Sequence, residues 1–131
     1  MPNQCPCGSG LSYPDCCEPI ISGKTAAETA QKLMCSRYTA FTLADAAYLM
    51  HSHSAKTRPV KEQKSIEKWA KSVSWMGLTI LQTQAGAAGD EIGSVEFKAL
   101  YLENGKLQQI HEKSLFRREN GKWAYASGEI Q

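Results

Sequence analysis

The sequence predicts an α+β domain in which helices come first and an antiparallel sheet second. Between residues 25 and 74, apolar residues recur every three or four positions, which is the period of a helix packed against a core. After residue 75 the period changes to two, which is typical of half-buried strands. Two Asn-Gly pairs, beginning at Asn104 and Asn120, are strong signals for tight hairpin turns. We therefore expect helices on one face of a hairpin-joined sheet.

The composition is that of one globular domain with a small appendage. The chain has 131 residues, of which 42% are hydrophobic and 21% are charged, and its formal net charge is +2. Because basic and acidic residues are evenly distributed, we expect neither a nucleic-acid partner nor an anionic membrane. The sequence contains no apolar run long enough for a secretory signal or a spanning helix, so we expect a cytoplasmic protein with no membrane partner.

Four cysteines lie within the first seventeen residues, at Cys5, Cys7, Cys16 and Cys17. In a cytoplasmic protein, clustered cysteines indicate metal ligands more readily than disulfides. Disulfides between Cys5 and Cys7, or between Cys16 and Cys17, would also be strained. Four thiolates around one tetrahedral zinc ion form a closed structural site with no position left for water. Cross-paired disulfides, an iron–sulfur cluster and a redox dithiol remain alternatives.

Zinc would also explain how such a short segment folds. Residues 3–24 contain few apolar side chains to bury, whereas a structural zinc ion contributes on the order of 10 kcal/mol of folding free energy. The pattern C-P-C-G-S-G, five residues, then C-C resembles the SEC-C motif of the SecA translocation ATPase. The resemblance implies that all four cysteines bind zinc and that the segment contacts a protein partner, as SecA contacts the chaperone SecB. Lysines that are common in that motif are replaced here by Leu11, Ser12, Pro14 and Asp15, so an acidic or RNA partner is not implied.

Three helices are predicted before the sheet. The first begins at a capping box formed by Thr25 and Glu28 and runs to about Leu43. Asp45 is the predicted N-cap of a short second helix that ends near residues 51–53. Residues 61–74 predict an amphipathic third helix whose lysines form a solvated face.

Four strands should follow. Alternating patterns cover residues 78–83, 95–101 and 110–117, and a fourth strand contains Trp123 and Tyr125. Three helices followed by four hairpin-joined strands resemble the NTF2-like cone, in which a curved sheet wraps a helix and leaves a pocket. We therefore divide the chain into a zinc knuckle, residues 1–24, and an NTF2-like domain, residues 25–131.

A narrower resemblance extends over most of the chain. The segments CPCGS at 5–9, MCSRYTAF at 34–41, WMGL at 75–78 and IHEKSLF at 110–116, together with Trp123, resemble the YchJ family of small bacterial proteins. Membership in this family, also designated UPF0225, implies the SEC-C motif and the NTF2-like domain.

The predicted pocket residues are Arg37, Tyr38, Tyr101 and Glu112. Glu112 shares a strand face with apolar neighbours, and a buried carboxylate beside Arg37 would form a helix-to-sheet salt bridge. The alternative is an isomerase or hydrolase that uses Glu112 in the pocket. We expect Cys35 to be a small buried residue rather than a nucleophile.

No histidine has a triad partner at a recognisable spacing, and we expect all three to be exposed; they are His51, His53 and His111. With no strong catalytic constellation, the sequence favours a binding protein over an enzyme. We expect it to contact a protein partner through the zinc knuckle, or to hold a small ligand in the cone. A homodimer formed through the outer face of the sheet is a further expectation.

Overall fold

Four antiparallel strands in the order β1-β2-β3-β4 form one sheet in the second half of the chain. The structure is a computed structural model and describes residues 4–131. The strands are β1 (Ser74–Ala85), β2 (Ile92–Glu103), β3 (Lys106–Glu119) and β4 (Lys122–Ile130). Each strand pairs with the next along the chain, so the sheet is a simple meander. The predicted α+β class is confirmed.

Both Asn-Gly pairs form the predicted hairpin turns. Asn104 and Gly105 have φ values of 53° and 77°, and Asn120 and Gly121 have 54° and 79°. Positive φ at both central residues defines the type I′ turn, whose twist matches that of the flanking strands. The β2–β3 and β3–β4 connections are therefore tight two-residue loops.

Irregularities in strand pairing interrupt the two outer ladders. The β1–β2 register shifts twice, after Trp75 and after Ile80, and the β3–β4 register shifts between Leu115 and Phe116. An extra residue in one strand bends that strand and increases its twist. These positions allow the sheet to wrap around a helix rather than remain flat.

Four α-helices precede the sheet. They are α1 (Glu18–Ile21), α2 (Ala30–Thr42), α3 (Ala46–His51) and α4 (Gln63–Ser72). Asp45 accepts a hydrogen bond from the Tyr48 amide at 3.0 Å, which confirms it as the N-cap of α3. The lysines of the α4 region are exposed, as predicted, and a 3₁₀ turn over Val60–Glu62 replaces the expected first turn of that helix.

The predicted start of the long helix is wrong by four residues. Thr29, not Thr25, caps α2, because its hydroxyl accepts a hydrogen bond from the Lys32 amide at 3.1 Å. The amide of Thr25 instead donates to the Pro19 carbonyl at 3.1 Å. That bond ties the segment before α2 back to α1.

The core lies between α2 and the inner face of the sheet. On β2, Val95, Phe97 and Ala99 alternate with half-buried residues and face inward. From α2, Leu33 and Met34 pack against them. Three of the N-terminal cysteines belong to the same buried cluster, namely Cys5, Cys7 and Cys17. The cysteine segment therefore packs onto the cone and does not extend into solvent. Within residues 4–131, no helix is both long and apolar enough to cross a bilayer.

Candidate metal centre and cone cavity

The four N-terminal cysteines form one compact sulfur cluster. The ligand atoms of Cys5, Cys7, Cys16 and Cys17 all lie within 4.8 Å of one another. The Sγ of Cys16 is 3.6 Å from that of Cys7 and 3.8 Å from that of Cys17. Zinc–sulfur bonds of about 2.3 Å in a tetrahedron require sulfur–sulfur distances of about 3.8 Å. The four cysteines therefore fit one tetrahedral metal ion.

Local turns bring the two cysteine pairs together. The Cys5 amide donates to the Leu11 carbonyl at 2.9 Å, which closes a loop over the intervening residues. Gly8 and Gly10 adopt φ values of 81° and 87°, a region that costs glycine little. Ser9 Oγ lies 3.1 Å from Cys16 Sγ and is the polar neighbour of the least buried sulfur.

The cluster is anchored on helix α2. Cys17 is 1% exposed, and Thr39 of α2 donates its hydroxyl to Cys17 Sγ at 3.4 Å. The same hydroxyl lies 3.7 Å from Cys5 Sγ. Thiolates in this buried position need a compensating cation, and a bound metal ion would supply it.

Without a metal the pKa values of the clustered thiols shift in opposite directions. Hydrogen bonds from Cys17 and Cys35 hold the pKa of Cys7 far below its usual range. The same pairing, together with burial, raises the pKa of Cys17, and burial raises that of Cys16 to about 11. Cys35, predicted to be a small buried residue, lies outside the group of four and is half-buried. A divalent ion would remove this competition, because its ligands are all deprotonated.

A cavity of about 230 Å³ lies between the helices and the inner face of the sheet. Most of its wall is apolar. Representative apolar wall residues are Met34, Phe41, Met50, Ile66, Trp75 and Phe97. Only a few polar side chains interrupt this lining; the charged or titratable ones are Arg37, Tyr38, His53, Glu112 and Tyr125. Such a lining suits a small ligand that is apolar over most of its surface.

Three of the four predicted pocket residues line this cavity, namely Arg37, Tyr38 and Glu112. Tyr101 does not. Its ring centroid lies 5.4 Å from those of both Trp69 and Trp75. Tyr101 is near the end of β2, where α4 presents Trp69, so the tyrosine packs into this aromatic cluster beside the cavity.

The predicted salt bridge between Arg37 and Glu112 is wrong. Arg37 Nη1 donates to the Leu49 carbonyl at 2.9 Å and to Ser52 Oγ at 2.7 Å. Leu49 lies in the last turn of α3, where carbonyl groups lack partners within the helix. The end of α3 thus binds the guanidinium that was expected to face Glu112.

Tyr125 separates the two charged groups. The Arg37 guanidinium lies 4.4 Å from the Tyr125 ring centroid, in cation–π geometry. The Tyr125 hydroxyl donates to Glu112 Oε2 at 2.8 Å, and the Ser114 hydroxyl donates to the same oxygen. The sequence pattern did not predict this role for Tyr125. The available signal was an aromatic with a hydroxyl on an inward-facing strand, which needs a polar partner when buried.

Burial dominates the electrostatics of the cavity. It lowers the pKa of Arg37 to about 10, which still leaves a cation at neutral pH. Burial, followed by the charges of Arg37 and Arg58, lowers the pKa of His53 to about 4. Burial and the neighbouring Glu112 charge raise the pKa of Tyr125 above its usual range. At neutral pH, His53 and Tyr125 are therefore neutral and Arg37 is charged.

The expectation that every histidine is exposed holds only for His51. His53 lines the cavity, with its ring centroid 5.0 Å from that of Tyr125 and its Nε2 3.0 Å from Thr57 Oγ1. His111 is half-buried on β3, and its Nε2 lies 2.7 Å from Glu96 Oε2 on β2. The cross-strand register places that carboxylate within reach of the His111 ring, which the alternation pattern alone does not reveal.

Comparison with known proteins identifies both parts of the chain. Residues 1–19 match the SEC-C motif, and residues 29–128 match the family described as "YchJ, middle NTF2-like domain". A UPF0225 protein of Geobacter sulfurreducens is 41% identical over 128 residues, covering 98% of this chain and 80% of its own length. The chain belongs to the YchJ family. The UPF0225 protein YchJ of Shigella dysenteriae is 37% identical over 128 residues, covering 98% of this chain and 84% of its own length.

Solved structures of similar proteins have the same fold. A SEC-C motif containing protein from Rhodopseudomonas palustris, solved in solution, superposes with a TM-score of 0.87 at 31% identity. That match covers 97% of this chain and 98% of the other. A crystal structure of a SEC-C motif containing protein from Psychrobacter arcticus gives a TM-score of 0.81 at 29% identity, covering 100% of this chain and 86% of the other. The YchJ-family fold, with an N-terminal cysteine cluster and an NTF2-like domain, is thus confirmed for this chain.

Proposed function

We propose that this YchJ-family protein is a zinc-clamped binding protein whose cone holds a small, mostly apolar ligand. The observation that carries the proposal is the largely apolar cavity of about 230 Å³ between the helices and the sheet. In this proposal zinc has a structural role, and the cavity is the ligand-binding site. The division into a knuckle (1–24) and a cone (25–131) is part of the same proposal; residues 1–3 lie outside the described residues.

Zinc is the ion that best suits the sulfur cluster. Four soft thiolates in a tetrahedral arrangement select zinc or an iron–sulfur cluster over magnesium or calcium. A single ion accounts for sulfur–sulfur distances of 3.6 and 3.8 Å. With all four positions occupied by Cys5, Cys7, Cys16 and Cys17, the ion would be closed to water. It would contribute folding free energy and no chemistry of its own.

The cavity is small for a ligand site. Sites for drug-sized molecules span about 300–1,000 Å³. At about 30 Å³ per water molecule, the volume of about 230 Å³ holds roughly eight waters or a similar number of ligand atoms. A ligand of six to ten non-hydrogen atoms, about the size of a short alcohol or acid, is therefore the expected class.

We do not propose the isomerase or hydrolase activity considered from the sequence. Oε2 of Glu112 accepts hydrogen bonds from Tyr125 and Ser114, which position the carboxylate as part of a structural network. Protein binding through the knuckle, a homodimer and a cytoplasmic location stay predictions. Leu11, an apolar residue at the turn of the knuckle, is 54% exposed, which is relevant to the prediction of protein binding.

Elemental analysis of the purified full chain tests the metal part of the proposal. We expect one zinc per chain, loss of the metal in the double variant Cys16→Ser/Cys17→Ser, and full retention in Cys35→Ser. Cys35 is a stringent control, because it neighbours Cys7 but is not one of the four clustered cysteines, and serine keeps a hydroxyl in place of its thiol. Iron in place of zinc, or zinc that persists in the double variant, would contradict the proposal.

Ligand titration followed by NMR tests the cavity. Hexan-1-ol should shift the signals of cavity-lining residues in the metal-loaded protein. Ala99 is 3% exposed and lines the cavity, so Ala99→Leu should fill the space and weaken binding. Lys98→Leu adds apolar surface at the neighbouring position, which faces the other side of β2, and should leave binding unchanged. Equal binding by both variants would rule out the cavity as the site.

A further inference from the structure

Arg37 is a buried cation with no acidic partner. Its side chain is on helix α2, is 6% exposed, and lines the cone cavity. Within residues 4–131, no carboxylate lies within the 4.0 Å salt-bridge distance of its guanidinium. Buried charges are normally paired, because an ion loses its hydration when it enters the protein interior. An arginine that remains unpaired in a cavity wall therefore needs an explanation.

The neutral contacts of Arg37 use only part of its hydrogen-bonding capacity. Both hydrogen bonds of the Arg37 side chain are donated by Nη1, one to the Leu49 carbonyl and one to Ser52 Oγ. Nε and Nη2 donate to no acceptor in the described part of the chain. Among the described residues, two side-chain nitrogens are fully buried without a hydrogen-bond partner, namely Trp75 Nε1 and Arg117 Nε. The free donors of Arg37 are not among them, so they are not fully buried. Some accessible surface therefore remains on these donors, and Arg37 lines the cavity.

The nearest carboxylate on the cavity wall is already occupied. Glu112 Oε2 accepts hydrogen bonds from Tyr125 and Ser114, and its charge acts on Arg37 through space without forming a salt bridge. His53, which also lines the cavity, is neutral at pH 7 because burial and nearby arginines lower its pKa to about 4. Within the described residues, Arg37 thus has donor nitrogens at this end of the cavity that no carboxylate contacts.

We propose that the cone cavity selects a small molecule carrying a carboxylate, which binds the free donors of Arg37 while its apolar body contacts the surrounding wall. This inference rests on the proposed ligand-binding function and specifies the ligand's charge. A planar guanidinium matches the two oxygens of a carboxylate, and such charge-assisted bonds are stronger than neutral ones. Met34 and Phe41, on α2 with Arg37, would contact the apolar part of the ligand.

A matched ligand series tests the charge preference in the unmodified protein. Hexanoate, hexan-1-ol and hexylamine share one apolar chain and differ in the terminal group. NMR titration of the metal-loaded full chain at pH 7 should show hexanoate binding about tenfold more tightly than hexan-1-ol, as expected for one charge-assisted contact. Hexylamine should bind most weakly, because its charge repels that of Arg37.

Arg37→Met then tests the assigned residue. Methionine fills a similar volume without charge, so the variant should lose the preference for hexanoate while keeping the affinity for hexan-1-ol. Its thermal midpoint should fall, because the variant loses the hydrogen bonds of Nη1 to the Leu49 carbonyl and to Ser52 Oγ. Retained binding of hexan-1-ol is therefore the check that the cavity is still formed. Arg58→Met is the control: Arg58 is a half-buried arginine outside the wall of this cavity, and its variant should retain the preference.

The possible results separate the inference from the function on which it rests. If none of the three ligands binds the unmodified protein, the proposed ligand-binding function is overturned. If hexan-1-ol binds as tightly as hexanoate, the function stands and the carboxylate preference is wrong. Tightest binding by hexylamine would overturn the preference and point to Glu112. A preference for hexanoate that persists in Arg37→Met would exclude Arg37 as the anchor.

Discussion

Tyr125 links the two charged groups of the cavity without allowing them to meet. Its ring packs against the Arg37 guanidinium, and its hydroxyl donates to Glu112. Periodicity assigns all three residues to inward-facing positions, but it does not show which side chain lies between which others. A salt bridge between Arg37 and Glu112 was the simplest prediction. In the structure Arg37 instead contacts the Tyr125 ring and the Leu49 carbonyl at the end of α3.

At the residue scale, His53 should make stability depend on pH. Its pKa is lowered from 6.5 to about 4 by burial and by nearby arginines. Because the unfolded chain binds this proton more readily, the stabilisation is complete above about pH 6.5 and is lost as the pH falls toward 4. Allowing for partial exposure of the ring, we expect a loss on the order of 2 kcal/mol between these limits.

Chemical denaturation at pH 7 and pH 4.5 measures this effect. His53→Gln removes the titrating group, so the variant should lose less stability than the unmodified protein over this interval. His51→Gln, at an exposed position two residues away, should behave like the unmodified protein. Identical pH dependence in all three proteins would show that His53 does not contribute.

At the scale of single elements, the start of helix α2 shows how a correct motif can be assigned to the wrong turn. Thr25 and Glu28 match the capping-box spacing, yet the helix begins four residues later at Thr29. The two candidates are both threonines, and each is followed by residues compatible with a helix. In the structure only Thr29 acts as the cap, because its hydroxyl accepts from the Lys32 amide, whereas the Thr25 amide donates to the Pro19 carbonyl.

Replacing each threonine by alanine provides a direct test. Thr29→Ala removes the hydroxyl that accepts from the Lys32 amide and should lower the free energy of unfolding by about 1 kcal/mol. Thr25→Ala changes an exposed side chain and should alter it by less than about 0.5 kcal/mol. Urea unfolding measures both, and a larger loss in Thr25→Ala would contradict this assignment of the cap.

At the scale of the whole molecule, the cysteine segment and the cone share one hydrophobic core. Cys5, Cys7 and Cys17 belong to the same buried cluster as Leu33 and Phe97. Thr39 extends this contact, since its hydroxyl bonds to Cys17 Sγ from within α2. Loss of the metal ion should therefore affect the packing of the cone as well as the cysteine segment.

Metal removal should accordingly destabilise the entire chain in one transition. After chelation we expect the thermal midpoint to fall by at least about 10 °C, with a single cooperative unfolding step. The double variant Cys16→Ser/Cys17→Ser should show the same lowered midpoint without chelator, whereas Cys35→Ser should keep both its metal and its response to chelator. Calorimetry that resolves two separate transitions, or a cone whose midpoint does not change, would contradict this coupling.

The sequence by itself determined the α+β class, the two Asn-Gly hairpins, the cap of α3 and the grouping of four cysteines. These features depend on residues close together in the chain, so spacing and backbone preference are sufficient to predict them. It also placed Arg37, Tyr38 and Glu112 on faces that line the cavity.

Only the tertiary structure decided which partners those residues have. Arg37 binds the end of α3, Tyr101 joins the Trp69 and Trp75 cluster, and His53 reaches the cavity wall. Each outcome depends on residues that are distant in the chain and meet only after the sheet has wrapped around α2. Side-chain alternation defines a face, whereas register, strand curvature and helix ends determine the contacts made on that face.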